Sequence, residues 1–163
     1  MVSGLSPEPD GSGVQLLSPE AVRLGQKAAN KDEAVQQCGE VLVELGAVEP
    51  AYVDTMHLRE RSITTFLGEG VAIPHGTDES RVFVKKTTLA VMQYPDGVDW
   101  GSGNEAKMCI AIAAKGNEHM QVLSALARIL LDPAKAERLR SASEVDQVLE
   151  LLAPIGGEEE EGE

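Results

Sequence analysis

Lys107-Met108-Cys109-Ile110-Ala111-Ile112-Ala113-Ala114 is apolar at every position after the first, and Asn117-Glu118-His119-Met120 opens a helix-like pattern soon afterwards. Apolar residues at successive rather than alternate positions fit a strand covered on both faces. Thr87 to Gln93 reads the same way, and Val71 to Ile73 gives a third, shorter strand. Tyr94-Pro95-Asp96-Gly97 carries turn chemistry and is expected to separate strands. Asn117 is a suitable N-cap for a helix whose Val122, Leu123, Leu126, Ile129 and Leu130 form a broad apolar face. Asp132-Pro133 restarts a further helix, and Ser143 to Leu152 gives a closing one with Val145, Val148, Leu149 and Leu152 inward.

Helices also precede this core. Val14 to Leu17 reads as a short strand, and Ser18-Pro19-Glu20 then offers a cap, a first-turn proline and an acid for a short helix. From Asn30, Val35, Cys38, Val41, Leu42 and Leu45 recur at spacings of three and four until Gly46. Glu49-Pro50 starts another helix, in which Tyr52, Met56 and Arg59 share one side. Strands interleaved with helices, in a chain with only 3% aromatic residues, predict an α/β (α+β) fold rather than a β-sandwich.

The 163 residues suit one domain, expected over 14–153 between a flexible leader at 1–13 and an acidic disordered tail at 154–163. Acidic residues outnumber basic ones 27 to 14, for a net charge of −13. Such a field repels phosphate backbones and anionic membranes, which argues against nucleic acid as a partner. No apolar stretch reaches the length of a membrane span, about 18 residues. No basic patch followed by an apolar run opens the chain, and Cys38 and Cys109 lack CxxC spacing, so a cytoplasmic protein with reduced thiols is expected. Cys109, within its apolar run, is expected to be core.

The chemistry-bearing residue is His75, in Gly70-Val71-Ala72-Ile73-Pro74-His75-Gly76-Thr77. Proline cannot continue a central ladder, so Pro74 is expected to end a strand and leave His75 at an exposed strand end, beside a glycine that lets a partner approach. On local spacing alone a loop histidine without a role fits equally well. His119, in the first turn of a helix that follows a strand, lies where unpaired N–H groups favour an anion. If the strands before His75 and His119 are parallel neighbours, the two rings converge at one rim. Imidazole, with an ordinary pKa of about 6.5, is a nucleophile at neutral pH without a strong base, so a phosphoryl group is a suitable cargo and Arg59 a suitable counter-charge. Glu69 and Asp78 are candidates for orienting the second ring nitrogen of His75. His57 is expected to face solvent. A zinc hydrolase using His75 and His119 is a competing idea, but no HExxH spacing supports it.

The run from Met56 to Thr77 resembles the active-site segment of the mannitol/fructose family of enzyme IIA domains, from the bacterial phosphoenolpyruvate-dependent sugar phosphotransferase system. Gln93 to Val98, Asn117 to Leu123 and Ser143 to Leu152 are similar to the mannitol branch in particular. The resemblance covers roughly Val14 to Leu152, although Trp100 to Glu105 is shorter and richer in glycine than its counterpart. It implies a mixed sheet of about five strands with helices on both faces. It also implies that His75 accepts a phosphoryl group at Nε2 from the histidine-containing phosphocarrier protein. His75 would pass it to a cysteine of enzyme IIB, and through that domain serve the membrane enzyme IIC and sugar uptake. His119 would stabilise the phosphoryl group and Arg59 would pair with it, with no cofactor and no metal. The alternative within the resemblance is a nitrogen-branch-like enzyme IIA that uses phosphorylation as a signal.

Overall fold

The computed structural model describes residues 17–116, 118–153 and 155. The expected leader, the strand residues Val14 to Leu16, the Asn117 cap and all of the acidic tail but Ile155 lie outside them. Five strands, β1 (Val22–Arg23), β2 (Phe66–Gly68), β3 (Val71–Ala72), β4 (Thr88–Gly101) and β5 (Asn104–Ala113), form one mixed sheet in the order β1-β4-β5-β3-β2. The pairs β1–β4 and β5–β3 are parallel, whereas β4–β5 and β3–β2 are antiparallel.

The helices are α1 (Lys31–Glu44), α2 (Ala51–Ser62), α3 (Glu118–Leu130), α4 (Pro133–Arg140) and α5 (Val145–Leu152). Sequence chemistry sets their ends. Asn30 Oδ1 accepts from the Glu33 N–H at 2.9 Å to cap α1, Gly46 just past its end has a φ of 73°, and Asp132 Oδ1 accepts from Ala134 N–H at 3.0 Å to cap α4. The sheet divides the core in two. Ala90, Met92, Cys109, Ala111 and Ala113 face α1 and α2, while Leu89, Val91, Met108, Ile110 and Ile112 face α3, α4 and α5. The first face carries mostly small residues, and α1 and α2 fill it with Leu42, Tyr52 and Met56, so volume is conserved across the layer. Cys109 is fully buried in this layer, as its apolar run predicts.

Two local expectations need correction. The turn expected at Tyr94-Pro95-Asp96-Gly97 is a bulge inside β4. Pairing breaks between Gln93 and Val98, so these residues stand opposite Lys107 alone. Pro95 has no N–H to give the ladder and Gly97 takes a φ of 82°, yet the strand resumes because Val98 and Trp100 still have core to fill. The actual hairpin is Gly101-Ser102-Gly103-Asn104, with φ positive at both Ser102 and Gly103. The short helix after Ser18 is a single 3-10 turn, Pro19–Ala21, which feeds edge strand β1. Strand β2 went unpredicted because Phe66-Leu67-Gly68 is too short for a periodicity signal. No helix among the described residues is long and apolar enough to cross a membrane.

Helices α1 and α2 approach closely at Gly39. A Cβ added at Gly39 would stand 2.8 Å from both γ carbons of Val53. In an open helix, glycine to alanine is favourable by about 1 kcal/mol. Here overpacking, about 1–3 kcal/mol, opposes it. Gly39→Ala is expected to lower the unfolding free energy in urea titration.

Candidate functional site

His75 and His119 meet at the rim where β3 and β5 end together, with ring centroids 4.7 Å apart and planes at 55°. Parallel pairing of Val71 with Met108 and Ala72 with Cys109 aligns the two strand ends, as the convergence of the histidines requires. One expectation fails: His75 is not exposed, keeping only 8% of its surface. Pro74 ends the regular ladder but its carbonyl accepts from Ile112 N–H at 3.0 Å, and His75 itself bridges to Ile112. The chain therefore continues along β5 instead of leaving the sheet.

The ring is fixed on both sides. Nδ1 lies 2.8 Å from the Ile73 carbonyl. A carbonyl only accepts, so Nδ1 carries the proton and donates, leaving the lone pair on Nε2. Glu69 and Asp78 do not do this work: Glu69 pairs with Arg140 at 3.6 Å and Asp78 with Arg81 at 3.5 Å. On the other side, the Tyr52 hydroxyl donates to the Ile112 carbonyl at 3.0 Å and accepts from Gly76 N–H at 2.9 Å. Any Cβ at Gly76 would fall 2.4 Å from Ser80 Oγ and 2.7 Å from the Tyr52 ring, so glycine is needed there for close packing. The freedom to admit a partner, expected of Gly76 from sequence, is used instead by the protein's own side chains.

Arg59 Nη1 donates to the Ile63 carbonyl at 2.6 Å, and its charge acts on both histidines. Arg81, on the 3-10 helix Asp78–Phe83, acts on His119 in the same sense. Arg81 and Tyr52 were missed as site residues. Tyr52 had a signal in sequence: a tyrosine on a buried helix face must place its hydroxyl on a partner. His57 lies 2.9 Å from Gln36 Oε1 on the exposed side of α2, away from this constellation.

Burial, followed by the Arg59 guanidinium among the charges, lowers the His75 pKa against the raising effect of the Ile73 hydrogen bond. Burial first, then His75 and Arg81, lower that of His119 to about 4. Both rings are therefore neutral at neutral pH, and His75 offers an oriented lone pair within the field of the Arg59 guanidinium. Such a site can take an electrophilic, anionic group on Nε2. Among the described residues, no cluster of three or more His, Cys, Asp and Glu side chains is arranged for a metal ion.

Comparison with known proteins agrees with this chemistry. Residues 15–154 match the family model for the phosphoenolpyruvate-dependent sugar phosphotransferase system, EIIA 2, and the chain belongs to that family. It is 46% identical over 154 residues to the mannitol-specific EIICBA component of Pasteurella multocida, covering 93% of this chain and 25% of that one. The chain thus spans about a quarter of the length of that relative. It is 39% identical to the mannitol-specific phosphotransferase enzyme IIA component of Geobacillus stearothermophilus, covering 86% of this chain and 97% of that protein. In structure it resembles Escherichia coli enzyme IIA for mannitol, solved in complex with phosphorylated enzyme IIB. The TM-score is 0.80 at 46% identity, over 85% of this chain and 99% of that one.

The histidines also link pH to stability. Each binds a proton less readily folded than unfolded, where imidazole titrates near about 6.5. The unfolded chain therefore takes up protons first as pH falls. The stability contributed by the neutral rings is complete above about 6.5 and is lost as pH falls below it, for His119 as pH falls through about 4. Unfolding titrations are expected to show this decline, and a shallower one in His119→Gln. An NMR titration of His119 is expected to have its midpoint near about 4.

Proposed function

We propose that this chain is the enzyme IIA of a sugar phosphotransferase system in the cytoplasm, carrying a phosphoryl group on Nε2 of His75. The reading is carried by one observation above the rest: the Nδ1–H of a buried, neutral His75 is anchored on the Ile73 carbonyl, which leaves the Nε2 lone pair as the nucleophile. That lone pair attacks the phosphorus of a phosphohistidine on the phosphocarrier protein. A new N–P bond forms, and the old one breaks with its electron pair returning to the donor imidazole. In the second half, a cysteine thiolate of enzyme IIB attacks the same phosphorus. The His75 N–P bond then breaks and restores the neutral ring.

The transferring group is anionic throughout, and transfer is governed by positioning and charge neutralisation. His119, within ring contact of His75, serves as a hydrogen-bonding partner to the phosphoryl oxygens. Arg59 keeps one N–H on Ile63, and a guanidinium has further donors to turn on phosphate. The net charge of −13 suits a phosphocarrier with a basic face around its histidine. Mannitol is the sugar favoured by the names of the relatives at 39% and 46% identity, which also favour transport over a purely regulatory role.

Incubation with phosphoenolpyruvate, enzyme I and the phosphocarrier protein is expected to add one acid-labile phosphoryl group, seen by mass spectrometry and absent in His75→Ala. Acid-labile phosphate retained in that variant would place the acceptor elsewhere. His119→Ala is expected to accept phosphate still, but to pass it to a mannitol enzyme IIB more slowly by about a hundredfold. A chain that is phosphorylated yet donates to no enzyme IIB would favour the signalling alternative.

A further inference from the structure

Glu60 is a carboxylate with 5% of its surface exposed, in the last turn of α2. A helix C-terminus is the wrong end for an anion, and burial of a charge is costly unless it is fully hydrogen-bonded. Four donors meet that requirement. Oε2 accepts from Thr65 N–H at 2.9 Å, Trp100 Nε1–H at 3.0 Å and the Thr64 hydroxyl at 3.2 Å, and Oε1 accepts from the Thr65 hydroxyl. From Thr65 the connection runs directly to the nucleophile. The Thr65 carbonyl accepts from Ile73 N–H at 3.0 Å, and the Ile73 carbonyl accepts from Nδ1–H of His75 at 2.8 Å.

We propose that Glu60 is a positioning residue for phosphoryl transfer: it pins Thr65, Thr65 pins Ile73, and the Ile73 carbonyl holds His75 as the single tautomer that presents Nε2. The inference rests on the reading of His75 as the acceptor. Trp100, the chain's one tryptophan, belongs to the same device, because its indole N–H ties the carboxylate to the end of β4. Neutral imidazole exchanges readily between two tautomers. Loosening the carbonyl lets the proton move to Nε2 in part of the population, where the lone pair is no longer available to attack.

Glu60→Met keeps the side-chain length and removes every acceptor, whereas Glu60→Gln keeps one carbonyl oxygen for Trp100 and Thr65 N–H. The Thr65 hydroxyl can reverse to accept from the new amide. Nitrogen-15 NMR of the His75 ring is expected to show one tautomer in the wild type, a mixture in Glu60→Met, and a return toward one tautomer in Glu60→Gln. Single-turnover acceptance from the phosphocarrier protein is expected to fall about tenfold in Glu60→Met with donor affinity unchanged. Trp100→Phe, which keeps the packing and removes one donor, gives a second measurement should Glu60→Met not fold, and is expected to show a smaller admixture of the second tautomer. A single tautomer and wild-type transfer rate in every folded variant would overturn the role of Glu60. Failure of the wild type to accept phosphate would instead defeat the reading of His75, and with it the transfer half of this inference, while the tautomer populations would still judge the positioning half.

Discussion

The parallel pairing of β3 with β5 is the constraint from which the site follows. Two parallel strands end at the same rim, so the segments that leave them emerge side by side. One such segment is Ile73-Pro74-His75, still attached to β5 through Ile112, and the other leads through Ala114 and Gly116 into α3, where His119 sits in the first turn. Antiparallel pairing of the same strands would have placed the histidines at opposite ends of the sheet. Val122, Leu126 and Ile129 of α3 share one buried core with Ile110 and Ile112, which seats α3 on the sheet beside the His75 rim.

Burying His75 has opposed consequences for the proposed function. A ring out of water stays neutral and keeps its lone pair, but a phosphoryl anion placed on it loses the same hydration. Arg59, whose charge lowers the pKa of both histidines, and Arg81, whose charge lowers that of His119, would under the proposed function also compensate that anion. On the proposed function, the free ring and the phosphorylated one would draw on one electrostatic environment. An exposed histidine at a strand end would have been easier to reach but would have had neither the fixed tautomer nor the concentrated charge.

Much of this was legible in the sequence because the decisive signals are long or chemically distinct. Lys107 to Ala114 has the unbroken apolar pattern of a covered strand, the Asn30 and Asp132 caps are local chemistry, and His75 and His119 each follow an apolar run within a few residues. Short strands were not legible: β1 and β2 owe their existence to neighbouring strands, not to a pattern of their own. Tyr94 to Gly97 has every residue of a turn, and tertiary packing of Trp100 and Val98 overrode it. The burial of His75 was also hidden, since it depends on a proline carbonyl remaining in the ladder, a contact made by a residue some forty positions away in the chain. Nothing local marks Glu60 either, because Trp100 and Thr65 surround it only in the folded chain.

Two side chains that hold the segments flanking His75 come from α2. Its buried face carries Tyr52, Met56 and Glu60 at successive spacings of four. Met56 fixes the helix in the core, Tyr52 holds Gly76 on the C-terminal side of His75, and Glu60 holds Ile73 through Thr65 on the N-terminal side. A shift of α2 therefore moves both flanks of the imidazole together instead of distorting the ring between them. One of the contacts that positions α2 is with α1, where Gly39 admits Val53. Precision at one nitrogen atom thus rests on a glycine in another helix, reached through packing and hydrogen bonds that each have a single good arrangement.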